Sequence, residues 1–178
     1  MIIISCDPGL KGALAAYDTE REKFIWLEDL PTLANGVSGK KMINGHALRL
    51  TLKTIKDENP DTAIECIMEQ VGTMPGQGIS SAFNFGRGFG IIEGCIAAMM
   101  LPLHLVRPAV WKKALGYTSD KEVIRADMIR HFPEFAEMLK RKMDADRAEA
   151  MAIALYHRKR LVANGMALNA YNSLLLEE

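Results

Sequence analysis

Four acidic residues carry the chemistry this sequence could perform: Asp7, Glu69, Asp146 and Glu149. Asp7 closes the apolar run Met1-Ile2-Ile3-Ile4-Ser5-Cys6 and precedes Pro8-Gly9, while Glu69 closes Ile64-Glu65-Cys66-Ile67-Met68. Asp146 and Glu149 stand three apart, which on a helix puts both side chains on one face. Carboxylates at two strand ends and on one helix face can converge on a single point. Gathered there they repel one another, so the arrangement makes sense when divalent cations fill it, and hard oxygen ligands suit Mg²⁺ or Mn²⁺. Such a site carries out metal-dependent phosphoryl transfer, and a nuclease is the expected class. Two metals roughly 4 Å apart can activate a water, neutralise the phosphate and stabilise the leaving alkoxide without a protein nucleophile.

Each acid also has a plainer reading. Asp7-Pro8-Gly9 is a common turn at a strand end, and Glu69 could be a solvated strand end. Asp146 and Glu149 could be acids favoured by the dipole at a helix N-terminus, and Glu149 could pair with a nearby Lys or Arg. Asp144 competes for the helix position, but its offset from Asp146 turns it to another face. The nuclease reading gains from all four acids falling in order at suitable elements.

The elements that must position these groups follow from pattern and punctuation. Met1–Cys6, Gly12–Tyr17 and Lys23–Glu28 read as a β-meander, and Ala63–Met68 and Leu103–Val106 as two later strands. Pro31–Lys41 and Gly72–Gly78 are rich in turn residues and read as loops. His46–Glu58 has apolar residues at helical spacing and is stopped by Pro60. Ser80–Met100 reads as a helix despite Gly86, Gly88, Gly90 and Gly94. The four-residue spacing of Gly86, Gly90 and Gly94 suggests close approach by another backbone, such as that of a second helix. Pro108 opens a short helix through Leu115. Ser119-Asp120-Lys121-Glu122 matches a capping box for a helix to about His131, and a last helix runs from about Asp144 to Ala163, ahead of Gly165. The order β-β-β-α-β-α-β-α-α-α predicts one α/β domain over residues 1–178, a mixed sheet with helices on its faces.

Composition sets the class. The chain has 178 residues, 49% of them apolar, enough for a sizeable core. No apolar run spans a bilayer, and no basic segment precedes Ile2-Ile3-Ile4, so no signal peptide is expected. Cys6, Cys66 and Cys95 are scattered, as expected of reduced thiols in a cytoplasmic protein. The net charge of zero hides an asymmetry: His104 to Arg160 holds 13 Lys and Arg against 8 Asp and Glu. That basic stretch suggests an anionic partner such as nucleic acid, with solvated helix faces as the plain alternative. Lys140-Arg141-Lys142 is read as an exposed face and Trp111 as core. His46, His104, His131 and His157 show no ligand spacing and receive no catalytic role.

Four stretches resemble the RuvC-type Holliday junction resolvases of the ribonuclease H-like superfamily: Cys6-Asp7-Pro8-Gly9, Met68-Glu69-Gln70-Val71, Pro108-Ala109-Val110-Trp111-Lys112-Lys113, and Asp146-Arg147-Ala148-Glu149 through Ala154. They span nearly the whole chain in the expected order. The resemblance implies a ribonuclease H-like fold, with a mixed β-sheet flanked by helices on both faces. It implies that Asp7, Glu69, Asp146 and Glu149 are the catalytic, metal-binding acids, with Mg²⁺ or Mn²⁺, two per site. The fourth acid is Asp in many bacterial members and here is Glu, one methylene longer. The resemblance further implies DNA contacts by Lys112, Lys113, Lys121, Arg147 and an aromatic, taken as Phe85 with Phe83 and Phe89 as alternatives. Its expected substrate is branched DNA, above all a four-way junction nicked symmetrically by a homodimer, with no membrane association. A fork- or flap-trimming nuclease would share the site, and a non-catalytic relative would bind branched DNA without cutting it. Asp7-Pro8-Gly9-Leu10-Lys11-Gly12 also resembles the first phosphate loop of actin- and sugar-kinase-type ATP-binding proteins. Those need a second related domain, which this length does not accommodate.

Overall fold

The structure is a computed structural model that describes residues 1–36, 39–72 and 76–175. Its centre is a five-stranded sheet made of β1 (Ile2–Asp7), β2 (Ala13–Asp18), β3 (Lys23–Asp29), β6 (Ile64–Glu69) and β7 (Leu103–Val106), in the order β3-β2-β1-β6-β7. The β1–β2 and β2–β3 pairs are antiparallel, whereas β1–β6 and β6–β7 are parallel. β1 is buried along its entire length, which explains its unbroken apolar run.

Side-chain alternation divides the core in two. Ile2, Ile4, Cys6, Cys66 and Met68 face α1 (Gly45–Asp57) and α2 (Ile79–Ala98). Ile3 and Ile67 face α3 (Pro108–Leu115), α4 (Lys121–His131) and α5 (Ala145–Leu175). Helices therefore cover both faces, and the expected ribonuclease H-like arrangement is the one observed. α1 buries Leu48, Leu52 and Ile55 and is capped by Asn44, whose side chain accepts from the Ala47 N–H at 3.1 Å. α5 is buried on every side from Ala148 to Ala154, as a helix threaded between a sheet and another helix must be. Its alanines allow a close approach: the Ser5 hydroxyl donates directly to the Ala150 carbonyl at 2.6 Å.

Several local expectations need correction. Within the segment expected to be a loop, Thr32–Ala34 (β4) pairs antiparallel with Lys41–Ile43 (β5), because Thr32, Leu33 and Ile43 suit an extended strand. Residues 37–38 of that segment, and 73–75 of the expected Gly72–Gly78 loop, lie outside the described residues. α4 is capped by Asp120, which accepts from the Glu122 N–H at 2.9 Å, and not by Ser119. Short 3-10 turns at Pro133–Leu139 and Lys142–Asp144 fill the path from α4 to α5. α5 continues past Gly165 to Leu175, since an isolated glycine disfavours a helix by only about 1 kcal/mol. Gly86, Gly90 and Gly94 meet nothing of this chain within 4 Å of a notional Cβ, so no neighbouring backbone of the described residues approaches them. A close approach that does require a glycine is at Gly12, where a Cβ would stand 2.0 Å from the Asp7 carbonyl oxygen.

Candidate active site

The period of the strands decides where the acids point. Ile3, Ser5 and Asp7 alternate onto the α5 side of the sheet, as do Glu65, Ile67 and Glu69. The parallel register aligns Cys6 with Met68, one residue before each acid, so Asp7 and Glu69 leave adjacent strand ends on the same face. α5 crosses that face with Asp146 and Glu149 in its first turns, and the Ser5–Ala150 bond fixes its height. Carboxylate oxygens of Asp7, Asp146 and Glu149 consequently lie within 4.8 Å of one another. Glu69 stands beside them, close enough that its charge disfavours ionisation of Asp7.

Burial makes this crowding consequential. Asp7 is 8% exposed and Glu149 3% exposed. Burial, then the charges of Glu149 and Glu69, push the Asp7 carboxyl well above the usual carboxylate range. Burial also raises Glu69, against the stabilising effect of a hydrogen bond from Trp111. The Trp111 indole N–H donates to Glu69 Oε1 at 2.8 Å. Trp111 is thus core, as expected, and also the group that orients Glu69, which the sequence reading missed. The spacing of Trp111 beside the two lysines was the signal available for it.

Two of the nominated lysines meet the acids. Lys112 Nζ donates to Glu149 Oε1 at 2.6 Å and stacks 5.1 Å from the Trp111 ring centroid. Lys121 Nζ donates to Asp146 Oδ1 at 2.6 Å and also pairs with Glu149. Burial opposes the Lys121 charge, but the bonds to Asp146 and Glu149 outweigh it and hold the ammonium above its ordinary range. Lys113 is exposed on the rim of a shallow cleft formed by α3 and the turn that follows it, lined also by Lys112, Tyr117 and Ser119.

Other nominations lie apart. Phe85 sits on α2, on the other layer, where with Phe89, Lys11, Lys40 and Lys41 it lines a groove of about 770 Å³. Arg147 turns away from the cluster. Its guanidinium donates to Asp29 at 2.6 and 2.8 Å and to the Met138 carbonyl at 2.9 Å, so it ties α5 to β3 and is not free for a phosphate. Asp144 is held by Arg141 at 2.7 Å and stays out of the cluster. Lys140, Arg141 and Lys142 are exposed, as their plain reading had it. Cys6, Cys66 and Cys95 are free thiols, and no helix among the described residues is long and apolar enough to cross a membrane.

No family model matches this chain, and no curated protein sequence does. Among solved structures it is similar to Thermus thermophilus RuvC in complex with a Holliday junction substrate, at TM-score 0.57 and 17% identity over 89% of this chain and 92% of that one. It is also similar to the fowlpox virus Holliday junction resolvase, at TM-score 0.53 and 18% identity over 90% of this chain and 99% of that one. At such identities the likeness is one of backbone architecture. The chain has the ribonuclease H-like fold of the RuvC-type resolvases.

Proposed function

We propose that this protein is a metal-dependent endonuclease that resolves four-way DNA junctions. The observation that carries the proposal is the convergence of Asp7, Asp146 and Glu149, with Glu69 beside them, at one end of the α5–sheet seam. The donor set fits a hard divalent cation: every ligand atom is a carboxylate oxygen, and most of the set is buried. Asp7, Glu69, Asp146 and Glu149 would hold Mg²⁺ or Mn²⁺, two ions per site. Bound there, the metal supplies an ionised water and neutralises charge on the phosphate.

The rest follows from the chain's own side chains. Lys112 and Lys121 each neutralise a carboxylate now, and either ammonium can exchange that partner for a phosphate oxygen when a strand enters. Trp111 ties one oxygen of Glu69 and fixes the plane of the carboxylate. Lys113 adds a charge on the same rim. The groove lined by Lys11, Lys40, Lys41, Phe85 and Phe89 begins at the turn after Asp7 and suits an unpaired strand, with phosphates on the lysines and bases on the rings. One structural neighbour is bound to a Holliday junction substrate and the other is a Holliday junction resolvase, which favours the junction as substrate. A junction's two-fold symmetry calls for a homodimer. The glycine face of α2, with Phe83 69% exposed, is available for the second copy. Three free thiols fit a cytoplasmic setting.

The test is cleavage of a labelled four-way junction beside a fork, a flap and linear duplex, with Mg²⁺ or Mn²⁺, by wild type and Asp7→Asn. Paired symmetric nicks in the junction, lost in Asp7→Asn, are expected. Equal cleavage of forks and flaps would make the protein a general debranching nuclease. No metal-dependent cleavage of any of the four would overturn the catalytic reading.

A further inference from the structure

A second set of metal-ligating groups lies on the same seam as the acids, at its other end. Glu65 is on β6, four residues before Glu69 and on the same face, so about 13 Å along the strand. His157 is on α5, eight residues beyond Glu149, about 12 Å along the helix. His104 is on β7, aligned with Ile67. Sequence spacing did not join these three, yet their ligand atoms lie within 4.8 Å of one another. Both imidazoles aim Nε2 at a single oxygen: His157 Nε2 is 2.8 Å and His104 Nε2 3.1 Å from Glu65 Oε2. The rings stand 4.8 Å apart, tilted by 39°.

We propose that Glu65, His104 and His157 form a zinc-class metal site, separate from the acid cluster, that ties β6 and β7 to α5. A tetrahedral ion with bonds of about 2.0–2.1 Å has ligand–ligand edges near 3.3 Å. The two Glu65–His edges are already within about half an ångström of that length, so an ion fits among the three with small shifts once each imidazole carries its proton on Nδ1 in place of Nε2. His157 is fully buried and supplies the fixed ligand. The side chains of His104, 36% exposed, and Glu65, 28% exposed, supply the adjustable ones and leave the fourth position open to water.

The donor chemistry separates the two sites. Two imidazoles and one carboxylate favour Zn²⁺ or Co²⁺, while the all-oxygen cluster favours Mg²⁺ or Mn²⁺. Burial disfavours a charged His157 imidazole, and the hydrogen bond from His157 favours an ionised Glu65. His157 Nδ1 is buried with no hydrogen-bond partner among the described residues. An outer partner on that nitrogen commonly contributes 10–100-fold to affinity, so this site binds more weakly than one that has it.

The test is calorimetric titration of Zn²⁺, and of Co²⁺ with visible absorption, into the full chain in a large excess of Mg²⁺. One ion per chain is expected. Asp7→Asn should bind it equally well, and His104→Ala and Glu65→Gln should bind it at least about tenfold more weakly. Both substitutions are at part-exposed positions, and far-ultraviolet circular dichroism confirms that the variants fold. At a hundredfold excess over the dissociation constant, Zn²⁺ should raise the melting temperature of wild type by about 5–10 °C, and that of His104→Ala much less. Binding unchanged by His104→Ala, binding lost in Asp7→Asn, or no binding under Mg²⁺ would each overturn the proposal. None of these readouts involves cleavage, so the site stands or falls independently of the nuclease reading.

Discussion

The two ends of the α5–sheet seam use the same strand and the same helix for opposite electrostatic purposes. At the Glu69 end, acids are crowded together, and burial with mutual repulsion raises Asp7 and Glu69 above their ordinary range. At the Glu65 end, one carboxylate is shared by two imidazoles and lies below its ordinary range. At the first, the raised Asp7 and Glu69 oppose folding even with Lys112 and Lys121 paired to Glu149 and Asp146, and a bound cation would relieve them. The second favours folding by itself. Identical backbone geometry thus yields a strained site and a satisfied one, according to which residues occupy one strand four positions apart.

The largest expected effect breaks the strained end. Asp7→Asn should reduce junction cleavage by more than about 100-fold, the upper end for losing a group behind a metal ligand, because it removes an anionic ligand itself. It should also stabilise the metal-free protein at neutral pH. Asp7 has a raised folded pKa, so its contribution to stability is full below the unfolded value of about 3.9 and is lost as pH rises through the folded value. Melting curves in chelator should therefore show the variant gaining on wild type from about pH 4 to pH 7. Added Mg²⁺ should then favour wild type. A difference independent of pH would rule out carboxylate crowding as its cause.

Next in size is Trp111→Phe, which keeps most of the buried ring and deletes the N–H that holds Glu69. A loss of about 10–100-fold in Mg²⁺ affinity or cleavage rate is expected, from the usual effect of removing a partner behind a metal ligand. The metal dependence of the rate measures it, and an unchanged dependence would make Trp111 packing alone.

The other end should respond in stability, with the opposite sense of pH. Glu65→Gln should destabilise the metal-free protein by about 1–3 kcal/mol at neutral pH, the usual range for losing charge-assisted hydrogen bonds. Glu65 has a lowered folded pKa, so its contribution is present above the unfolded value and disappears as pH falls through the folded one. Denaturant melts should show the penalty shrinking toward low pH, where the Asp7→Asn advantage also vanishes. If both variants shift with pH in the same direction, the contrast between the ends is wrong.

The smallest effect separates two basic residues. Lys113→Ala should lower the salt dependence of junction binding by about one unit of slope, whereas Arg147→Ala should leave the slope unchanged. Arg147 is committed to Asp29 and Met138, so its loss should appear in thermal melts instead. Equal slopes for the two variants would restore Arg147 to the DNA-facing set.

Much of the fold and of the acid cluster is legible in local pattern. β1 is legible because a strand buried on both faces has to be an apolar run, and α1 because Leu48, Leu52 and Ile55 repeat at the helical period. The β4–β5 hairpin is hidden by Gly, Ser and Asn in the residues that join it, which outweigh two three-residue strands in any local pattern. Among the site residues, the acids stand out because each closes or opens a patterned element. Arg147 is nominated by its place beside Asp146, but proximity in sequence says nothing about which helix face a side chain takes, and the fold pairs it with Asp29 and Met138.

By itself, the sequence determined the alternation of strands and helices, the two-sided burial of β1, and the position of each acid at the end of an element. These depend on local periodicity, which a chain carries without knowing its partners. Only the tertiary structure decided that Trp111 holds Glu69, that Lys112 and Lys121 neutralise Glu149 and Asp146, and that Glu65, His104 and His157 meet. Those contacts join residues 25 to 92 positions apart. They arise from strand register and from the height at which an alanine-rich helix settles on the sheet, and neither is encoded in any local pattern.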